Sequence, residues 1–250
     1  MYISTKDWTA FVKKLSKLNQ SAADAVSAYV AKHGFADTDA LIQYCYRVAN
    51  KYGTASSSLA ALMYDTVTEV EGKFYPVAEM VEQISYGDVA KAVHGTLKTS
   101  QNPDEIAGAV SRLVKRAGQD TLLTNAIRDG AQFAWIPSGD TCAFCTMLAS
   151  NGWQYASKDA LNDGHADHIH ANCDCTYMIR HSPRTNVRGY DPGKYKEMYD
   201  DADGYSWRQK VNAMRRENYS KNADEINEQK REAYAQRMQP RTEPFTEETG

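Results

Sequence analysis

The residues of this chain that are best suited to chemistry lie close together, between positions 141 and 180. This stretch holds four of the five cysteines and three of the six histidines. Cys142 and Cys145 form a C-x-x-C pair, and Cys173 and Cys175 form a C-x-C pair that follows His170. Zinc prefers four thiolate or imidazole ligands in a tetrahedron, and cysteines this close together can reach one ion from a single turn. The spacing therefore predicts one metal site that takes structural Zn2+ as its cofactor.

The two pairs and His170 supply five candidate ligands for four positions, and the sequence leaves two solutions open. Either all four cysteines bind the ion, which we favour, or His170 replaces one of the thiolates. In the first case His170 supports a ligand by hydrogen bonding or lies at an open coordination position. His165 and His168 are weaker candidates. A set of buried free thiols is the alternative to a metal site, but two close pairs in a polar segment are not typical of core packing.

A disulfide framework is disfavoured by the compartment that we expect for this chain. The N-terminus carries no apolar stretch of signal-peptide length, so we expect synthesis in a cytoplasm, where thiols stay reduced. No segment approaches the roughly 18 apolar residues that a membrane-spanning helix needs. We therefore expect no membrane partner.

Enzymatic use of the cluster is not expected, because its proton-transfer partners are missing. A zinc deaminase needs an H-x-E motif before its cysteine pair, and this chain has no H-x-E motif. The triplet Asp167, His168 and Ile169 is similar to one that HNH-type nucleases place on a strand beside a zinc knuckle. The later asparagine and histidine of that site are absent. A metal-dependent nuclease that uses His168 or His170 is therefore kept only as an alternative.

The charge balance argues against a dedicated nucleic-acid module. The formal net charge is -3, and 24% of the residues are charged, whereas such a module normally has a basic face and a high isoelectric point. Contact with DNA through a local basic patch is a further alternative. Its candidate side chains are Arg180, Arg184, Arg188, Arg208, Lys210, Arg215 and Arg216.

Apolar residues recur at helical spacing over most of the chain. The pattern predicts helices at about 5–32, 37–52, 54–72, 76–85, 87–99, 103–117 and 119–130. Asn102 and Pro103 give the strongest start signal, because asparagine caps exposed N–H groups and proline suits the first turn. Gly53 is expected to end the second helix, and Cys45 is expected in the core.

The two cysteine pairs are predicted to lie on different kinds of element. "AQFAWIP" favours a short strand, "CAFC" opens a short helix, and "CDCTYMI" reads as a strand, on which residues two apart face the same side. Both pairs can therefore converge on one ion. The predicted fold is mainly α, with a helical region at 1–130, an α+β zinc-binding knuckle module at 131–180, a helical tail at 181–240 and a disordered C-terminus at 241–250.

The segments "GAQFAWIPSGDTCAFCTMLASNGWQY" and "HIHANCDCTYMI" together resemble the minor head proteins of tailed bacteriophages, in the head-morphogenesis group related to the phage Mu protein F. That group has a helical N-terminal part, an aromatic lead-in with proline and glycine, both cysteine segments in this order, and a charged helical tail. Residues 130–180 carry most of the resemblance, and residues 56–72 extend it weakly.

This resemblance implies a structural function rather than an enzymatic one. We expect a minor capsid protein of the virion that lies on the inside of the capsid near the portal and is needed for head morphogenesis. Its expected partners are the portal protein, the major capsid protein or both, with packaged DNA as a further candidate. The host cytoplasm is the expected location during assembly.

Overall fold

The structure is a computed structural model that describes residues 2–81, 84–138, 141–159 and 173–225, together with 227, 228 and 231. Its contacts divide the chain into one unit at Met1–Asp200 and a second at Asp201–Gly250. Helices dominate both ends, and a small sheet with the cysteine cluster lies between them. The predicted mainly α class is therefore confirmed. The module boundaries at 130 and 180 stay predictions, and residues 241–250 lie outside the described residues.

Four helices precede the sheet: α1 (Thr5–His33), α2 (Thr38–Val70), α3 (Tyr86–Leu97) and α4 (Pro103–Asp129). Their first turns are capped by side chains, as the sequence predicts at Asn102, whose side chain accepts from the Asp104 N–H at 3.0 Å. Ser4 does the same for α1, accepting from the Asp7 N–H at 3.0 Å. Each cap satisfies a backbone donor that has no partner inside the helix.

Two predicted helix ends are wrong, because the glycines concerned lie inside continuous helices. A Cβ at Gly53 in α2 would lie 2.6 Å from Cδ1 of Ile84, and a Cβ at Gly118 in α4 would lie 2.5 Å from Oγ of Ser56. Glycine in a helix interior costs about 1 kcal/mol relative to alanine. Here the missing side chain lets a neighbouring segment approach closely, and this packing outweighs the local preference.

The helix predicted at 76–85 is also wrong. Residues 73–81 form no regular element and are held along α2 and α4 by side chains. The Ala78 N–H donates to Asp65 at 2.8 Å, and the Glu79 N–H donates to Asn125 at 2.9 Å. Asn125 also donates to the Glu79 carbonyl oxygen at 2.8 Å. These bonds replace the backbone pairing of a helix, so the segment keeps its polar groups satisfied.

The described strands form two small sheets. The larger contains β2 (Gln132–Ile136), β3 (Gln154–Tyr155) and β4 (Thr176–Arg180), antiparallel in the order β3-β2-β4. The smaller pairs β1 (Tyr2–Ile3) in parallel with β5 (Asn186–Val187). A short helix, α5 (Ala143–Ser150), follows β2, and α6 (Pro192–Asp200) and α7 (Trp207–Lys221) follow β5.

The larger sheet shares its hydrophobic core with the helices. Trp8 of α1, Tyr64 of α2 and Leu122 of α4 belong to the same cluster of buried side chains as Trp135 of β2 and Ile179 of β4. A second cluster lies among α1, α2, α3 and α4 and contains Cys45, as the sequence predicts. Burial raises the pKa of the Cys45 thiol to about 12. That thiol therefore stays protonated and behaves as a small apolar group.

Candidate metal centre

The first cysteine pair lies in the turn that begins α5. Cys142 is the N-cap residue, and its Sγ accepts from the Cys145 backbone N–H at 3.5 Å. Cys142 is partly exposed, whereas Cys145, in the first turn, is fully buried. The C-x-x-C spacing thus places both sulfurs on the same side of the helix start.

The second pair lies on the segment that leads into β4. The strand begins at Thr176, so Cys173 and Cys175 precede it rather than lie within it. The Cys175 N–H donates to Sγ of Cys173 at 3.4 Å, and the Ser138 N–H donates to Sγ of Cys175 at 3.4 Å. Ser138 follows β2, the strand that pairs with β4. The sheet register therefore brings the end of β2 beside the second pair.

The two pairs meet at their sulfur atoms. Sγ atoms of Cys145, Cys173 and Cys175 all lie within 4.8 Å of one another, and Sγ of Cys145 is 3.3 Å from Sγ of Cys173. The Cys145 thiol also interacts with that of Cys142. All five cysteines are free. The geometry therefore brings three predicted ligands into one group, with Cys142 beside it.

His170 lies outside the described residues, as do His165 and His168. The structure consequently leaves open whether an imidazole takes part. Among the residues that are described, the three-cysteine group is the one set of three or more metal-binding side chains that lie this close together.

The sulfur atoms differ in how readily they lose a proton. Contacts with the thiols of Cys145 and then Cys173 lower the pKa of Cys175, and the N–H of Ser138 adds to this effect. Contacts with Cys142, Cys173 and Cys175 raise the pKa of Cys145. Hydrogen bonds to a charged form favour that form. The neighbouring thiols and the Ser138 N–H therefore stabilise the thiolate of Cys175. A divalent cation at the centre would favour ionisation of the remaining thiols as well.

The cysteine spacing does not single out Lys115 of α4, although this side chain reaches the cluster. Its residue is 8% exposed, and its Nζ donates to the carbonyl oxygen of Cys173. Burial lowers the pKa of Lys115, and attraction to Cys173 and Asp174 opposes that effect. The available signal was its place on the helix, because Ser111, Gly118 and Leu122, at positions i-4, i+3 and i+7, are buried too.

Contacts of the Arg180 side chain hold the sheet together at the end of β4 that lies away from the cysteines. Its Nε donates to Oε1 of Gln132 at 2.8 Å, and its guanidinium lies 4.3 Å from the centre of the Trp153 ring. Nη1 donates to the carbonyl oxygens of Pro183 and Thr185 at 3.1 Å each. This candidate DNA-contacting side chain is thus engaged in contacts that join β2, β4 and the turn after α5.

These features define a class: a mainly helical protein whose small central sheet carries a cysteine cluster that can hold a metal ion. A family model described as "VG15 protein" matches residues 2–202. The chain therefore belongs to the VG15 protein family, and this membership suggests a phage protein, the product of a viral gene.

No curated protein and no solved structure matches the chain. Within the described ranges, none of the helices has the length and apolar character needed to cross a membrane.

Proposed function

We propose that this protein is a structural minor capsid protein of a tailed phage and that it acts in head assembly near the portal. A structural zinc ion stabilises its central sheet. The observation that carries the proposal is the convergence of cysteines from two separate segments in a member of a phage protein family. The expected location is the inside of the virion, and the host cytoplasm during assembly.

The proposed ligands are Cys142, Cys145, Cys173 and Cys175, with His170 as the alternative to one of the thiolates. Zinc–sulfur bonds of about 2.3 Å in a tetrahedron place neighbouring sulfurs roughly 3.8 Å apart. The Sγ atoms of Cys145 and Cys173 lie 3.3 Å apart, close to that value, and Sγ of Cys175 lies within 4.8 Å of both. Small side-chain rotations would therefore suffice to bind the ion.

A structural role for the ion follows from what surrounds it. Cys145 and Cys175 are buried, and among the described residues the group of metal-binding side chains consists of these two and Cys173, without a carboxylate or an imidazole. Closed zinc sites of this kind stabilise folds, whereas catalytic sites keep an open position. The ion would link α5 directly to the segment before β4, whose cysteines share a core cluster with Cys145.

Metal analysis of the purified protein tests this part of the proposal. We expect about one zinc per chain, and we expect chelation to change the circular dichroism spectrum. Replacement of Cys173 and Cys175 by serine should abolish zinc binding, whereas Cys45→Ala, a buried cysteine in the second core cluster, should leave the zinc content unchanged. Wild-type protein without zinc, or a spectrum that is insensitive to chelation of a loaded sample, would contradict the proposal.

The role in the head rests on the family and on the exposed residues near the C-terminal end. Tyr205, Trp207 and Tyr219 are all exposed, and Val211 is the one buried residue of α7. Aromatic residues are enriched in protein interfaces. We expect the portal protein or the major capsid protein to cover such residues, so the chain should co-purify with portal or procapsid. A stable isolated monomer without affinity for either would argue against this role.

We further propose that the protein is not an enzyme. The nuclease alternative predicts nicking of plasmid DNA in Mg2+ or Mn2+ and loss of that activity in a His168→Ala variant. The structural role predicts no nicking by either protein. Activity that disappears in the variant would replace the structural proposal with the enzymatic one.

A further inference from the structure

A buried ammonium group lies next to the cysteine cluster. Lys115 is 8% exposed, and its Nζ bonds to the carbonyl oxygen of Cys173. Burial lowers the pKa of Lys115, and attraction to Cys173, Asp174, Cys175 and Cys145 opposes that effect. Three of these four groups are proposed zinc ligands.

An ion held by cysteines leaves a net negative charge in the protein. Four thiolates and one divalent cation sum to a charge of -2, and three thiolates with one imidazole sum to -1. A charge in a poorly solvated site is costly unless it is paired and hydrogen-bonded. Backbone N–H groups of Ser138, Cys145 and Cys175 point at sulfur atoms and supply partial positive charge. Lys115 is placed to supply a full one.

The position of Lys115 is fixed by the packing of α4 rather than by the segment that carries Cys173 and Cys175. Gly118, one turn further along α4, lets Ser56 of α2 approach closely, and the side chains around Lys115 on this face are buried. The Lys115 side chain therefore extends from a packed helix, and its ammonium group reaches the segment that carries the second cysteine pair. A lysine has the length and the charge for this contact, whereas an apolar residue at the same place would lack both the donor and the charge.

We propose that Lys115 is a positioning residue of the metal centre. Its charge offsets the negative charge of the metal–thiolate group, and its bond to the Cys173 carbonyl oxygen fixes the segment that presents Cys173 and Cys175. This inference rests on the proposed zinc site and goes beyond it, because it assigns the affinity of that site to a residue that is not a ligand.

Three substitutions separate the two contributions. Lys115→Met removes the charge and the donor, Lys115→Gln keeps a donor without the charge, and Lys115→Arg keeps both. Arg112→Met is the matched control, because Arg112 is an exposed cation on the same helix. Zinc affinity is measured for each purified full-length chain by competition with a chromophoric chelator. Substitutions of the residues that hydrogen-bond to metal ligands typically cost 10- to 100-fold in metal affinity. We expect losses of zinc affinity in this range for Lys115→Met and Lys115→Gln. Lys115→Arg should bind zinc with near wild-type affinity, and Arg112→Met should show no change.

The thiolate-to-cobalt absorption of the Co2+-loaded protein separates a loss of affinity from a loss of structure, because only disordered ligands would change its intensity at saturation. We expect the Gln variant to keep the wild-type intensity of the thiolate-to-cobalt absorption, because its ligands are the same, while its affinity falls. Zinc affinity within threefold of wild type in both Met and Gln variants would overturn the inference and leave the zinc site intact. Full affinity in Gln with a loss in Met would overturn the role of the charge. Should Met fail to fold, the comparison of Gln with Arg decides the same question. Wild-type protein without zinc would instead contradict the proposed function.

Discussion

Three helical glycines provide a graded test of how closely the helices pack. A Cβ at Gly118 would lie 2.5 Å from Oγ and 3.2 Å from the backbone oxygen of Ser56, in the interior of α2. A Cβ at Gly53 would lie 2.6 Å from Cδ1 of Ile84, at the end of a flexible side chain. At Gly95 in α3 a Cβ would meet nothing within 4 Å. Replacement of each by alanine should therefore give three different results.

The expected magnitudes follow from two opposing effects. Alanine favours a helix over glycine by about 1 kcal/mol at each position. Overpacking of a filled core costs about 1–3 kcal/mol, and at Gly118 the obstacle includes backbone that cannot rotate away. We expect Gly95→Ala to raise the free energy of unfolding by up to about 1 kcal/mol. Gly53→Ala should be close to neutral, and Gly118→Ala should lower it by roughly 1–2 kcal/mol.

Chemical denaturation followed by circular dichroism measures these differences, and thermal unfolding provides a second measure. A change of 1 kcal/mol corresponds to about 2–4 °C in Tm for a domain of 150–250 residues. A Gly118→Ala variant as stable as Gly95→Ala would refute the close approach of α2 and α4 at Ser56. Because Gly118 is one turn from Lys115, it would also weaken the argument that this face of α4 is fixed.

Three further predictions concern two buried polar side chains and one that is half-buried. The Tyr64 hydroxyl donates to Oδ2 of Asp129 at 2.6 Å. Tyr64→Phe should therefore lower the free energy of unfolding by about 1.5–3 kcal/mol. A loss below about 0.5 kcal/mol in urea denaturation would contradict the contact. The Asn125 side chain hydrogen-bonds to both backbone groups of Glu79. Asn125→Ala should therefore make residues 73–81 more sensitive to limited proteolysis. Unchanged cleavage would contradict the proposal that these two hydrogen bonds hold the segment. Burial lowers the pKa of His181 below its ordinary value of 6.5, so the unfolded chain binds the proton more readily and unfolding free energy should fall as pH drops below about 6.5. A His181→Gln variant should lose that part of the pH dependence; an identical profile would assign it to other groups.

The sequence predicts those parts of the fold that depend on local chemistry. Asn102 and Pro103 mark the start of α4 because a cap and its helix are adjacent in the chain. The spacing of Cys142 and Cys145 likewise identifies a turn that can present two sulfurs to one ion. Such signals require only neighbouring residues, and the structure contains the corresponding elements.

Contacts between distant residues explain what the sequence does not reveal. Gly53 is a helix end by local preference, but Ile84, 31 positions later in the printed sequence, packs against it and the helix continues. The segment at 73–81 is held by Asn125 through bonds that span 46 positions. Lys115 reaches Cys173 across 58 positions. No periodicity within one segment encodes these pairings, because each depends on how α2, α4 and the sheet meet.

The shared core bears on how much of the fold the proposed ion stabilises. Cys145 and Cys175 belong to the same cluster of buried side chains as Trp8 and Tyr64, so apolar packing already orders the surroundings of the sulfurs. In zinc-finger peptides, which have little other core, the apparent binding free energy of roughly 10–16 kcal/mol supplies the folding energy. Here the ion adds to a core that α1, α2 and α4 help to build. Its removal should therefore loosen α5 and the segment before β4, while the second cluster around Cys45, which contains none of the proposed ligands, keeps its packing.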